Sequence, residues 1–449
     1  MSLMTEISEY GAWQMGQTPP PEALHHAKRA VLDWFAALYP GTQIDPCAQL
    51  LRANQSELGS GRSSLPGCGT TAFAATAAWI TGSVSHAVEF DDIFRDAVYH
   101  PGCPTIAAAL AVGEDMQVDG LTFLKSIITG YEISTRIGAI VQPEHYRFFH
   151  TTGTVGSLAA AATSAALAAA GDAKIMGHAI STAASFASGL QQAFRSDAMT
   201  KALHAGNAAN VGVRSGVGAA HGITGANAML EGEVGFGAAL VGKEIDWRGA
   251  TDGLGSRYNI TVMTQKNHGC CGHTFAAIDA ALELLGQGAT PDKIESIEVR
   301  TYRAAINVTG NYSPSTAFEC KFSLPYVVSH ALHHGSVRIA AFDAQAQRDP
   351  KTRELMTRLT LVEDEELTKT FPKQRAARVK IVLKDGRVLE HYAPYRKGDP
   401  EAPLSDQDLN DKFMELAGPV IGQARAELLK EQVWRLEELD LAALALAKA

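Results

Sequence analysis

The chain has 449 residues, enough for two ordinary domains around a large buried core. Its 46% hydrophobic and 19% charged residues are globular proportions and exclude a disordered chain. A net charge of −9 excludes the basic footprint of a nucleic-acid binder. Residues 1–16 lack the basic start and apolar stretch of a secretory signal. Ser157–Gly171 is too short and too alanine-rich to span a bilayer, so no membrane association is expected. Cys47, Cys68, Cys103, Cys270, Cys271 and Cys320 show no disulfide-framework spacing, which makes the cytoplasm the expected compartment.

The first 265 residues read as successive helices. In Pro21–Leu38, Ala27, Ala30, Val31, Trp34, Phe35 and Leu38 recur at helical spacing behind a proline-rich start. Phe73–Val88, Pro104–Met116, Thr122–Val141, Thr154–Ala170 and Ala173–Phe194 follow the same pattern. Their alanines and glycines let helix axes approach closely, which predicts a compact bundle. Residues 1–265 are thus expected to form a large, mainly α domain.

The texture changes near Lys266. Ile294–Tyr302 alternates, with Ile297, Val299 and Thr301 on one face. Arg378–Leu383 and Arg387–Tyr392 flank Asp385-Gly386, which predicts a hairpin with a type I′ turn. Helical patterns at Thr274–Gly286 and Leu324–His333 lie among the strands. Residues 266–403 therefore read as a smaller α+β domain with an antiparallel sheet. Beyond Pro403 the pattern is helical again, with Ser405 as N-cap ahead of Leu409–Ala417. Residues 404–449 are expected to complete the first domain.

Four polar segments stand out. His86, Glu89, Asp91, Asp92, Arg95, Asp96 and His100 crowd one stretch that ends in Pro101-Gly102. It suits an acid–base loop with an anion-binding arginine, a divalent-metal site or a capped helix end; His86-Xaa-Xaa-Glu89 is too common to identify a metal. His145, Tyr146, Arg147 and His150 precede Thr151-Thr152-Gly153-Thr154-Val155, a helix start whose N–H groups suit a carboxylate. Lys201, His204 and Asn207 share a helix face, and burial of Lys201 among small residues would lower its pKa. Lys266, His268, Cys270, Cys271 and His273 crowd too tightly to close a zinc tetrahedron readily, and read either as a tight loop at the domain junction or as a loop lining a cleft. Rossmann, Walker, nucleophile-elbow and ferredoxin patterns are absent.

In this order and spacing the segments resemble the MmgE/PrpD family, along nearly the whole chain. The resemblance rests on Phe90-Asp91-Asp92, His100-Pro101-Gly102, His150-Thr-Thr-Gly-Thr-Val, Thr200-Lys201 with His204-Ala-Gly206, Cys270-Cys271 and Lys321-Phe-Ser-Leu-Pro-Tyr326. It implies a two-domain homodimer with a chorismate-mutase-like small domain, no metal or organic cofactor, a small polycarboxylate substrate and an interdomain site. Family members include 2-methylcitrate dehydratases, cis-aconitate decarboxylases and iminodisuccinate epimerases. His100, His150 and Lys201 match the decarboxylase and dehydratase pattern. Glu89 stands for the usual aspartate, Ile93 for threonine and Cys271 for the decarboxylase histidine. The sequence is therefore most similar to the epimerases, with a 2-methylcitrate-dehydratase-like hydro-lyase or cis-aconitate-decarboxylase-like lyase as the alternative.

Epimerisation needs a base and an acid on opposite faces of the carbon, with cations or N–H donors for the enolate-like charge. The expected acid–base pair is Tyr146 and Lys201, with His100 and His150 as rivals and Asp92 orienting a base. Arg95, Arg147, Gly153, Thr154, Cys271 and His273 are the expected substrate-binding groups.

Overall fold

The computed structural model describes residues 2–195 and 198–448. The chain divides into two compact units, Met1–Thr264 with Ser405–Ala449, and Gln265–Leu404. Among the described residues no helix is long and apolar enough to cross a membrane.

The first unit is helical apart from a short hairpin of β1 (Ser63–Leu65) and β2 (Thr70–Ala72). Its long helices are Leu3–Gly16, Pro21–Gly41, Ala74–Ala87, Gly102–Met116, Gly120–Ile140, Thr151–Ala168, Ala173–Phe186, Thr200–Ala220, Asp406–Ile421 and Gln423–Trp434. Side-chain caps set several starts. Asp119 accepts from Thr122 N at 2.7 Å, Asp172 accepts from Ile175 N at 2.9 Å, and Ser405 forms a capping box with Asp408. The helix expected to reach Phe194 ends at Phe186 instead. Gly189 takes φ +134°, and the chain turns to bridge Leu190 with Phe149 before a 3-10 turn at Gln191–Arg195.

Thr151–Ala168 is the hub of this unit. Every residue from Thr151 to Leu167 is buried, because the helix is packed on by Gly102–Met116, Gly120–Ile140, Ala173–Phe186 and Thr200–Ala220. A side chain on Gly212 would collide with Ala160, and one on Gly206 with Ser83 and the Trp79 carbonyl. Glycine at these positions sets how closely the axes approach.

The C-terminal helices join the first unit through charge as well as packing. Lys412 Nζ lies 2.6 Å from Asp33 Oδ1 and donates to the Phe90 carbonyl at 3.0 Å, all of it buried. Burial pushes the Asp33 carboxyl up, and Lys412 opposes that shift.

The second unit is built on a four-stranded sheet in the order β4-β3-β5-β6. These strands are β3 (Ile294–Thr301), β4 (Leu359–Glu363), β5 (Ala377–Leu383) and β6 (Val388–Ala393). β3 with β5 and β5 with β6 are antiparallel, as the alternation predicts; β4 adds a parallel edge beside β3. Ile297 opposes Ile381 and Val299 opposes Val379, and these residues share one core with Phe275, Ile278, Val327 and Val328. The last four come from helices Phe275–Gly286 and Leu324–His334. The Asp385-Gly386 hairpin is present, but it is not type I′. Only Gly386 is left-handed, at φ +87°, and Leu383 bonds Arg387 around a three-residue loop.

Two substitutions test the close packing. Alanine is the better helix former than glycine by about 1 kcal/mol. Gly212→Ala should nevertheless lower stability by about 1–3 kcal/mol through overpacking. Gly16→Ala, with nothing within 4 Å of the new carbon, should cost nothing. Denaturant midpoints give the answer; a rise for Gly212→Ala would refute the packing argument.

Candidate active site

Four helix ends in the first unit bring polar side chains together. His86 lies in the last turn of Ala74–Ala87, and His100 stands two residues before Gly102–Met116. His150 is the residue before Thr151–Ala168, and Lys201 and His204 occupy the first turns of Thr200–Ala220. The loop after His86 is held extended by a bridge between Ile93 and Thr264, with N–H to carbonyl distances of 2.8 and 2.9 Å. Glu89 in this loop takes φ +62°, a conformation costly for a residue with a side chain.

Asp91 is the anchor of the cluster. Its Oδ2 lies 2.7 Å from His86 Nδ1 and 2.9 Å from His100 Nδ1, and accepts from Cys103 Sγ at 3.3 Å. His86 and Asp91 are buried, whereas the His100 side chain is 15% exposed, so His100 is the member that a ligand can touch. One carboxylate thus hydrogen-bonds His86 and stands at ion-pair distance from His100. His86, Asp91 and Cys103 also offer three ligand atoms within 4.8 Å of one another, a spacing that suits a metal ion.

His150 links this anchor to Lys201. Its ring centroid lies 5.5 Å from His86, 6.4 Å from His100, 5.3 Å from His204 and 4.8 Å from Phe194. His150 Nδ1 and His204 Nδ1 are 3.1 Å apart, so one ring donates to the other. Lys201 Nζ pairs with Glu89 Oε1 and sits 5.3 Å over the Phe194 ring. The Lys201 and Glu89 side chains are each 19% exposed. Burial, with further contributions from His86 and Lys201, pushes His150 well below the usual imidazole range and His204 down to about 4. Both rings are neutral at pH 7.

Asp92 faces away from that cluster. Tyr131 donates its hydroxyl to Asp92 Oδ2 at 2.7 Å and Gly102 its N–H to Oδ1 at 2.9 Å. Burial raises the Asp92 carboxyl to about 7 despite both donors. These two bonds tie the His100-Pro101-Gly102 turn to Gly120–Ile140.

The structure gathers His100, His150 and Lys201, and places Asp92 behind them. It corrects the expectation at Gly153 and Thr154. Both backbone N–H groups donate to the His150 carbonyl, at 2.9 and 3.2 Å, and both residues are buried. They have no N–H left for a substrate carboxylate. Arg147 is exposed and lies over the Phe148 ring at 4.9 Å. Arg95 and Tyr146 are half-buried on 3-10 turns, Arg95–Ala97 and His145–Arg147. Cys271 and His273 lie in the second unit, where Cys271 N donates to the Lys321 carbonyl at 3.0 Å and His273 Nδ1 meets the Tyr302 hydroxyl at 2.7 Å. Asp91, His86, His204 and Glu89 are the residues that sequence reasoning left out of the site.

A helical unit completed from both ends of the chain thus gathers histidines and a lysine at its helix ends. Two family models identify the chain: the MmgE/PrpD N-terminal domain matches residues 5–248 and the MmgE/PrpD C-terminal domain residues 268–438. The chain belongs to the MmgE/PrpD family. It is 25% identical to a cis-aconitate decarboxylase-like protein of Aspergillus oryzae, over 93% of this chain and 91% of that one. It is 26% identical to the cis-aconitate decarboxylase of Mus musculus, over 81% of this chain and 76% of the relative. A shorter match, 29% identical over 26% of each chain, is to the 2-methylcitrate dehydratase of Cupriavidus necator. These relatives are lyases by name.

The neutral histidines make a pH prediction. His204 is expected to titrate at about 4 rather than at the usual 6.5. The unfolded chain binds that proton more readily, so the stability tied to neutral His204 is full above 6.5 and lost as pH falls towards 4. Asp92 acts oppositely: its contribution is full below 3.8 and lost as pH rises towards 7. NMR titration of the His204 ring checks the first value, and a midpoint near 6.5 would refute it.

Proposed function

We propose that this chain is a lyase acting on a small polycarboxylate, its acid–base groups moving a proton at a carbon next to a carboxylate. The observation that carries the reading is the His100–Asp91 dyad, partly exposed, joined through His150 to the Lys201–Glu89 pair. In this reading His100 is the base, and Asp91 orients it and balances the imidazolium that forms. Lys201 supplies positive charge for the enolate-like state. A neutral His150–His204 pair adds hydrogen-bonding capacity without a second charge.

The two named lyase activities use these groups differently. A dehydratase returns the proton to a leaving hydroxyl. A decarboxylase leaves its charge on carbon as CO₂ departs, and a protonated side chain then delivers a proton there. Tyr146, on the turn ahead of His150, is the alternative acid in either scheme. The substrate class is proposed from the relatives' names, and homodimer assembly and a cytoplasmic location belong to the same proposal.

One observation favours epimerisation as a second reading. Glu89 stands where lyase-like members carry aspartate, and its longer side chain reaches Lys201. The pair would then face one side of the carbon and His100 the other.

Assays on cis-aconitate, 2-methylcitrate and iminodisuccinate separate these outcomes. Dehydration gives a new ultraviolet-absorbing alkene, decarboxylation releases CO₂, and epimerisation incorporates solvent deuterium with neither. A chain that does none of these refutes the reading. Against the active substrate, His100→Asn and Lys201→Met should each lower turnover by about 10²-fold or more. Asp91→Asn should do the same with little change in KM. Unchanged turnover in His100→Asn would remove it as the base.

A further inference from the structure

The six cysteines are free, and two of them meet although 21 positions separate them. Cys47 Sγ lies 3.9 Å from Cys68 Sγ, a thiol–thiol hydrogen bond inside the first unit. Local structure puts both sulfurs there. Cys47 opens a short helix, Cys47–Ala53, that follows Pro21–Gly41. Cys68 closes the turn between β1 and β2. Its N–H donates to the Leu65 carbonyl at 2.9 Å, with Pro66 and Gly67, at φ +79°, on the corners of a type II turn. A side chain on Gly67 would press on Tyr39 and Thr42, so the turn lies against the end of Pro21–Gly41. Elsewhere on the hairpin, Ser64 donates its N–H and its hydroxyl to Glu114 Oε2, each at 2.6 Å. The two thiols are thus brought together by packing that neither of them supplies.

The two sulfurs differ in access and in acidity. Cys47 is buried, whereas Cys68 is partly exposed. The hydrogen bond from Cys68 holds the Cys47 thiol below its usual range, against the opposing effect of burial, and pushes the Cys68 thiol up. Burial raises the thiols of Cys103 and Cys320, and that of Cys270 to about 12. A thiolate is therefore more available at Cys47 than at those three, and a second thiol already touches it. A disulfide requires the sulfurs to come within about 2 Å, a short approach for side chains on a helix start and a surface turn.

We propose that Cys47 and Cys68 form a peroxide-sensitive dithiol that closes to an intramolecular disulfide and reopens with a thiol reductant. The Cys47 thiolate attacks one oxygen of hydrogen peroxide. The O–O bond breaks, Cys47 becomes a sulfenic acid, and the departing hydroxide takes up the proton that Cys47 released. The Cys68 sulfur then attacks the Cys47 sulfur. The S–S bond forms as the S–O bond breaks, and this second hydroxide takes the Cys68 proton. Two thiols and one peroxide give one disulfide and two waters; each sulfur loses one electron and the peroxide gains both. The bond staples the β1–β2 hairpin to the chain that follows Pro21–Gly41, independently of the chemistry at His100 and Lys201.

Peptide mapping tests the pair in the full chain, folded and reduced, then treated with hydrogen peroxide at pH 7 and alkylated. A cross-linked peptide pair carrying Cys47 and Cys68 is expected, with alkylation of both lost and then restored by dithiothreitol. Cys47→Ser should slow the consumption of Cys68 by at least about tenfold, since the attacking thiolate is gone. Cys68→Ser should send Cys47 on to a sulfinic acid that dithiothreitol does not reverse. The proposal is overturned by full alkylation of both thiols after peroxide, by sulfinic acid at Cys47 in the unaltered chain, or by a disulfide from either residue to another cysteine. Unchanged consumption of Cys68 in Cys47→Ser overturns it as well. Should a serine variant fail to fold, the map of the unaltered chain decides by itself.

Discussion

The close approach of helices across small residues is the constraint on which the first unit depends. Thr151–Ala168 has no polar face to give to water, so it must be surrounded. Alanine and serine bury little area each, at roughly 0.8 kcal/mol per CH₂, so such a helix gains from tight contact on every side rather than from a few large side chains. Glycines at 206 and 212 permit that contact. The same helices carry His86, His150, Lys201 and His204 at their ends. Side chains mounted on elements that cannot slide hold their mutual distances, as acid–base chemistry requires.

Charge is placed on this frame sparingly. Asp91 serves two imidazoles and a thiol, and Glu89 reaches Lys201 from a left-handed backbone position. A left-handed glutamate is destabilising by itself, and its ion pair with Lys201 is the evident compensation at this spot. Asp92 is also buried, its carboxyl raised to about 7 while its two hydrogen bonds pin the turn before Gly102. Neighbouring aspartates therefore do different work because one faces imidazoles and the other a phenol.

The long helices were legible because their apolar spacing is strong and their ends carry ordinary caps, as at Asp119, Asp172 and Ser405. The early end of Ala173–Phe186 was not, since it depends on Gly189 meeting the His150 segment far away in sequence. Leu359–Glu363 was missed as a strand because five residues at a parallel edge give little alternation. In the site, the polar segments were visible but not who bonds whom. Which histidines Asp91 orients is a matter of distances between helix ends, not of spacing along the chain. Gly153 and Thr154 looked like free donors because the sequence does not show that the His150 carbonyl turns back onto them.

The buried pairing of Asp33 with Lys412 joins residues 379 positions apart. On a ribosome adding about 5–20 residues per second, the carboxylate emerges on the order of tens of seconds before its ammonium partner exists. Residues 265–404, by contrast, are complete before the first unit can close. The nascent helical bundle must spend that interval with an open seam along Pro21–Gly41, where Asp406–Ile421 later docks. Biosynthesis of this fold thus has a built-in waiting period, during which holding chaperones have a defined surface to cover.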